Sequence, residues 1–396
     1  YQKELAVPGI DKTRQITLHI DSAELQRYKI KNLDGAIKSY LSVLELQLDP
    51  NNLVAIRGLE DLYLYKQRYK DLQTMLFKEL ELQKNNNRLI AVHLQLATLM
   101  EEELDDLDVA IEHFSEAHLS RPDNLAILRR LKILLRISQR WDAYVETVEK
   151  EISICTNKVE LIPLHIDLMK IYDTYLDKIH KSIEHGEAIM ELDNKNIQTL
   201  VYLQELYKKD DQLAKLVDSY LKEASNLQAS ANQERLIFLN LESGKLLATK
   251  LNDLEKAVKC FEEVLFFEPT NKDAITNLLG IFKQLKEWEK LIHLYEIAAK
   301  ITKNREETEN IYSKIAEIWD KELGNLDKAL RAYRIVYTLN KQNYNAVNSM
   351  RKIFERQDRL GDAIEMLNIE VHLVDEKKKP PLYLKMGEYW EQKLGM

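Results

Sequence analysis

The chain has 396 residues, 45% hydrophobic and 31% charged, with only 10 Gly and 7 Pro. Gly and Pro together reach about a third of their usual combined share, which argues against an all-β or Rossmann-type sheet, whose tight turns need both. A net charge of −8 from interspersed signs argues against a basic nucleic-acid stripe, and evenly spread Leu, Ile, Val and Tyr argue against disorder.

The surroundings are narrowed less than the class. Cys155 and Cys260 are the only cysteines and stand 105 residues apart, too few for a disulfide framework or a metal quartet. A reduced, cytoplasmic setting fits them. No segment approaches the ~20 apolar residues of a membrane span, so no membrane insertion is expected. The wealth of Lys, Asn and Ile fits an AT-rich bacterial genome.

In chain order, residues 1–13 with Pro8-Gly9 read as a loop or remnant, and residues 14–396 read as one continuous array. The first helix surrounds Thr17–Ala23, which aligns with Ala91–Ala97. Amphipathic segments then recur from Leu33, Leu107, Ile179, Leu254 and Leu326, in steps of 74, 72, 75 and 72 residues. Small residues share one column, at Ala36, Ala110, Ser182, Ala257 and Ala329. Four residues later come Tyr40, Phe114, Gly186, Phe261 and Tyr333. That spacing puts both columns on one helical face, the small residue admitting a neighbouring helix. A second helix type begins near Arg68, Arg140, Asp211, Glu287 and Arg359. The period is therefore a doublet of two helical hairpins, A and B, with the longer 75-residue step assigned to a mobile loop over 228–233. At the end, Tyr389–Gly395 aligns with Ile318–Gly324. Leu382, Leu384, Tyr389 and Trp390 would then present an apolar face, read as the cut end of a longer array or a site of self-association.

These residues resemble the tetratricopeptide repeat superfamily, whose second helix carries Ala, an aromatic four residues on, a further small residue and a closing Pro. Gly324, Ala329 and Tyr333 follow that pattern, as do Ala110, Phe114, Ala117 and Pro122, and Ala257, Phe261 and Pro269. The copies are divergent. The consensus Gly of the first helix is mostly missing, and a type-B column carries Glu79, Glu151, Glu223 and Glu370 where a small residue is usual, with Ala298 keeping it. The resemblance implies an all-α, α-α superhelical solenoid of about ten hairpins, with ligands held on the concave face of the first helices. The column on that face is Asp21, Arg57, Gln95, Arg129, Asp167, Val201, Glu242, Thr276, Lys314 and Asn348, with Lys352 beside its end. Such a surface suits a protein or peptide partner; the plainer reading is a solvated face whose signs pair across neighbouring helices.

Catalytic and metal readings find little. His19, His93 and His165 recur in register, but residues one doublet apart are separated by roughly 20 Å on helices spaced 8–10 Å, far beyond shared coordination. They read as packing residues. His113 and His118, like His180 and His185, are five apart and off one helical face. No HExxH, GxSxG, GxGxxG or phosphate loop is present, so no enzyme activity and no cofactor are expected. The Glu column reads as paired with a nearby Arg or a helix N-terminus. Tyr65, Tyr69, Trp141, Tyr144, Trp288 and Tyr295 read as core, and Lys377–Lys379 before Pro380 as a helix start. The sequence thus favours a protein-interaction scaffold. The alternatives are a regulatory or substrate-recruiting array of a larger enzyme, such as a glycosyltransferase, and an RNA-associated repeat.

Overall fold

A computed structural model of the chain describes residues 9–45, 48–228 and 232–394. Among them only helices and connecting turns occur, and no helix is long and apolar enough to cross a membrane. Contacts divide the chain into two compact units, residues 1–194 and 195–396.

Unit 1 holds α1 (Lys12–Glu24), α2 (Leu33–Glu45), α3 (Leu53–Tyr65), α4 (Tyr69–Leu82) and α5 (Asn86–Glu102), then α6 (Leu107–Ser120), α7 (Leu125–Ile137), α8 (Trp141–Ile154), α9 (Lys158–Thr174) and α10 (Ile179–Leu192). Unit 2 holds α11 (Ile197–Lys209), α12 (Leu213–Asn226), α13 (Gln233–Thr249), α14 (Leu254–Phe267), α15 (Lys272–Leu285) and α16 (Trp288–Ile301). It continues with α17 (Arg305–Glu317), α18 (Leu326–Leu339), α19 (Tyr344–Arg356), α20 (Leu360–Leu373) and α21 (Lys379–Leu394). Odd helices are the first helices of hairpins and even ones the second. Within each unit, helices pack on their neighbours in chain order. The all-α solenoid class expected from the repeat is the one found.

Hairpins A and B close by two different turns. In the B turns the chain reverses at a left-handed residue, Gln67, Gln139, Asp211, Lys286 or Asp358. The next amide then donates five residues back, as from Arg68 N–H to Tyr63 O at 2.9 Å and Arg359 N–H to Phe354 O at 2.9 Å. This is the Schellman closure. The A turns also use one left-handed residue, Lys31, Asp105, Asp177, Asn252 or Gly324. Their closing amide reaches six residues back, as from Asp106 to Met100 and from Asp253 to Leu247, both at 2.9 Å. The joints between hairpins are capped by asparagine. Asn52, Asn124, Asn196, Asn271 and Asn343 each accept from an amide at the start of a B first helix. Asn85, Asn157 and Asn304 do the same for A first helices. Asparagine abundance therefore has a positional cause, since its side chain supplies the acceptor that the first helical turn lacks.

Packing follows the two columns. Ala36, Ala110, Ser182, Ala257 and Ala329 are all 0% exposed, because each lies where a neighbouring helix approaches. Gly58 on α3 faces the Tyr40 ring, and Gly244 on α13 faces the Phe261 ring. Trp141, Tyr144, Trp288 and Tyr295 are buried or half-buried, as expected of core aromatics. Tyr65 is not, being 77% exposed at the C-terminal end of α3: it falls on the solvent side of the last turn.

The ends differ slightly from expectation. Helix α1 starts at Lys12, ahead of the expected residue 14, because the Asp11 carboxylate caps it through the Thr13 amide. Residues 1–8, with Pro8, and residues 229–231 of the loop expected to be mobile lie outside the described residues. On α21, Leu384 and Trp390 are exposed, Leu382 and Tyr389 half-buried.

Candidate functional site

The column expected to face a partner lies on the odd helices, and its members differ in how free they are. Arg57 is exposed at its tip, yet its Nε donates to the buried Glu79 at 2.6 Å. Arg129 stands in the same way to Glu151 at 3.0 Å and reaches Glu160 at 2.9 Å. Asp167 accepts from the Tyr144 hydroxyl and faces Arg136 at 3.3 Å. Glu242 pairs with Lys245 at 3.0 Å, Lys314 stands 5.7 Å from the Tyr295 ring, and Asn348 accepts from Arg351 at 2.7 Å. Asp21 is half-buried, while Gln95, Val201, Thr276 and Lys352 are exposed.

These pairings account for the Glu column. Glu79, Glu151, Glu223 and Glu370 are at most 3% exposed, and an ionised carboxylate at such a site requires a cation or several donors. The donors come from positions 22 and 19 residues earlier, on the preceding first helix. Arg57 serves Glu79; Arg129 and Lys132 serve Glu151. Gln204 serves Glu223 at 2.7 Å, and Arg351 serves Glu370 at 2.7 Å. Where the column has Ala298, the corresponding residues are Thr276 and Leu279, which carry no charge. Additional cations arrive from the following helix: Arg88 Nε lies 3.0 Å from Glu79, and Arg235 Nε lies 2.8 Å from Glu223. Burial alone would raise Glu79 and Glu223, but the guanidiniums outweigh it and hold both below the usual carboxylate range.

One cavity opens on the first-helix face of unit 1. It measures about 590 Å³ and lies between α3 and α5 against α4. Arg57 and Gln95, two members of the column, line it together; Asp21, Arg129 and Asp167 do not. Its apolar wall includes Leu64, Leu72, Leu76 and Leu94. Among its polar lining residues only Glu60 is buried, at 6% exposure. Glu60 Oε2 accepts from Arg88 Nη2 at 3.1 Å, whereas Oε1 meets no donor among the described residues. Burial and the adjacent Glu79 carboxylate push Glu60 up to about 8. Periodicity does not mark Glu60, because it occurs in one copy only.

The histidines are brought together differently from the sequence expectation. His93 does not approach another copy's equivalent; it meets His113 on the second helix of its own hairpin, Nδ1 to Nδ1 at 3.1 Å. His165 meets His185 likewise at 3.0 Å. The signal that could have found these pairs is the repeated separation of 20 residues. Among the described residues no group of three His, Cys, Asp or Glu is placed to hold a metal ion.

No protein-family model matches the chain, and no curated protein matches it. Solved structures similar to it include Naa15/Naa10 bound to HypK-THB, at 12% identity and a TM-score of 0.38, covering 96% of this chain and 66% of that one. The chain thus spans just under two thirds of that structure's length. The yeast Tom70 is similar at 14% identity and TM-score 0.27, with 97% of each chain covered. The C-terminal part of a TPR repeat-containing protein from Cytophaga hutchinsonii is similar at 16% and 0.29, covering 65% of this chain and 99% of that one. Hairpin length, a left-handed residue in each turn and the small-then-aromatic column make the fold of this chain a divergent tetratricopeptide-like repeat fold.

Proposed function

We propose that the chain is a protein-interaction scaffold that binds segments of partner proteins along its first helices and makes or breaks no bond. The observation that carries this reading is the cavity between α3 and α5, a recess with apolar walls and a few converging polar groups on the face formed by first helices. Preformed recesses of this kind bind side chains at low conformational cost, because the ion pairs beneath them already hold the helices. Arg57 and Arg129 contribute by neutralising the buried Glu79 and Glu151, so charge reversal at either would damage the fold before it tested binding.

Gln95 and Thr98 are exposed members of the cavity lining on α5 and give a cleaner probe. In affinity capture from a lysate of the source cells, Gln95→Arg with Thr98→Arg should lose partners that the unaltered chain retains, with an unchanged melting temperature. Retention of the same partners would place binding away from this cavity and remove the observation on which the reading rests.

A further inference from the structure

We infer that the cavity between α3 and α5 takes one basic side chain of a partner, a lysine or arginine whose aliphatic stem lies along the leucine wall and whose charged head pairs with Glu60. The inference rests on the scaffold reading and specifies what one point of that surface recognises.

Three observations carry it. The first is shape: about 590 Å³ bounded by Leu64, Leu72, Leu76 and Leu94 accommodates a long apolar stem, and such stems favour apolar walls when the charged head finds a partner. The second is the buried Glu60, whose Oε1 meets no donor among the described residues. A carboxyl shut away in this manner is costly unless paired or protonated. The third is the balance of charge in the lining. Glu60, Asp61, Glu102 and Glu103 face two guanidiniums, Arg57 and Arg88. Both guanidiniums are already held by Glu79, at 2.6 Å and 2.5 Å, and Arg88 reaches Glu60 only at Oε2, at 3.1 Å. Asp61 is satisfied by Arg27 at 3.0 Å, and Glu102 meets Arg130 at 3.4 Å. What is left over is acidic, so an anionic ligand would be repelled and a purely apolar one would leave Glu60 as it stands.

Proton linkage gives the inference a distinctive readout. The groups facing Glu60 are Arg57 and Asp61 from α3, Glu79 from α4 and Arg88 from α5. Burial and the adjacent Glu79 carboxylate favour the protonated form of Glu60. A bound ammonium or guanidinium takes the place of that proton, which leaves to solvent. Affinity should therefore rise with pH up to about 8 and level off above it.

The test is selection of random twelve-residue peptides on the intact chain, with the Gln95→Arg and Thr98→Arg variant used to discard binders of other faces. Affinities of the selected peptides are then measured by fluorescence anisotropy. Binders should contain a Lys or Arg whose replacement by acetyl-lysine or citrulline weakens binding about tenfold or more, as does Glu60→Gln. Binding to the unaltered chain should tighten roughly 25-fold from pH 6.5 to pH 8.5, and Glu60→Gln should abolish that dependence. The Gln variant keeps the shape of the side chain, and its melting temperature at pH 6.5 checks that it folds. Peptides that bind this face without a basic residue, or with no response to Glu60→Gln or pH, overturn the inference and leave the scaffold reading standing. A selection with no binder on this face overturns both.

Discussion

The Nδ1 atoms of His93 and His113 lie 3.1 Å apart, so one ring must donate and the other accept. The next A hairpin repeats the arrangement at His165 and His185, 3.0 Å apart. Neither pair can hold two protons on the facing nitrogens without losing that hydrogen bond. Phe77 lies against His113 and Tyr172 stacks on His185, at 5.5 Å each.

Acid should therefore weaken unit 1. Burial lowers all four rings, His113 and His185 are lowered further by their histidine partners, and His185 falls to about 4. Glu112 and Glu116 beside the first pair, and Glu149 and Glu184 beside the second, oppose the shift without reversing it; Lys181 adds to it at His185. Below the ordinary histidine value of 6.5 the unfolded chain binds protons that the folded chain refuses. Stability is thus complete above that value and declines as pH falls toward 4. Nε2 of His113 and of His185 is buried without a partner among the described residues, so an apolar ring can replace either without breaking a bond there. Melting temperatures at pH 7 and pH 5 should diverge in the unaltered chain and draw together in His113→Phe with His185→Phe. An unchanged gap would show that other groups govern the acid response.

The pair Arg351–Glu370 offers a second measurement. Glu370 is 0% exposed and takes Arg351 Nε at 2.7 Å. Arg351→Met leaves a buried carboxylate without its cation, and the expected loss is about 3–5 kcal/mol. Adding Glu370→Leu should restore most of it, because the chain already contains the apolar version of this contact: Ala298 replaces the Glu, with Leu279 at the Arg351 position. Urea unfolding of the two single variants and the double one closes the cycle. Additive losses would mean that the pair does not interact.

Glycine substitutions should have opposite signs at two helical positions. A Cβ on Gly244 would fall 2.8 Å from the Phe261 ring, which is 0% exposed and cannot move aside. Gly244→Ala should cost about 1–3 kcal/mol through overpacking. Gly280, within α15, has nothing within 4 Å of the added atom. There the helix propensity of alanine is the remaining effect, and Gly280→Ala should stabilise by roughly 0.5–1 kcal/mol. Denaturation midpoints moving in the same direction would refute the steric account of Gly244.

The B turns carry non-glycine residues in the left-handed region, where a Cβ is strained. Gln139 has φ 54° and follows α7. Gln139→Gly should raise stability by about 0.5 kcal/mol, the relief of strain exceeding the added freedom of the unfolded chain. Gly324 occupies the same role in an A turn at φ 65°, and Gly324→Ala should lower stability by about 1 kcal/mol. Thermal unfolding of both variants decides; a stabilising Gly324→Ala would mean that the turn relaxes to another conformation.

Much of the fold is legible in the residues themselves. The doublet period, the alternation of two hairpins and the small-then-aromatic columns all arise from spacing along single helices. That spacing is governed by 3.6 residues per turn, whatever the helix packs against. Even the pairing of the Glu column with arginine could be anticipated, since a carboxylate at a packing position needs a cation. Which arginines serve it could not. Arg57 and Arg129 occupy partner-facing positions of the repeat, and they do reach solvent, but the crossing of α3 over α4 and of α7 over α8 aims their Nε atoms at Glu79 and Glu151. The histidine pairs, the burial of Glu60 and the cavity beside it depend on the register between helices. That register is set by whether a turn closes five or six residues back and by how far a small residue lets the next helix approach. These are tertiary quantities. A chain low in Gly and Pro can only be helical here, but which of its polar side chains are consumed by the fold and which remain for a partner is decided where the helices meet.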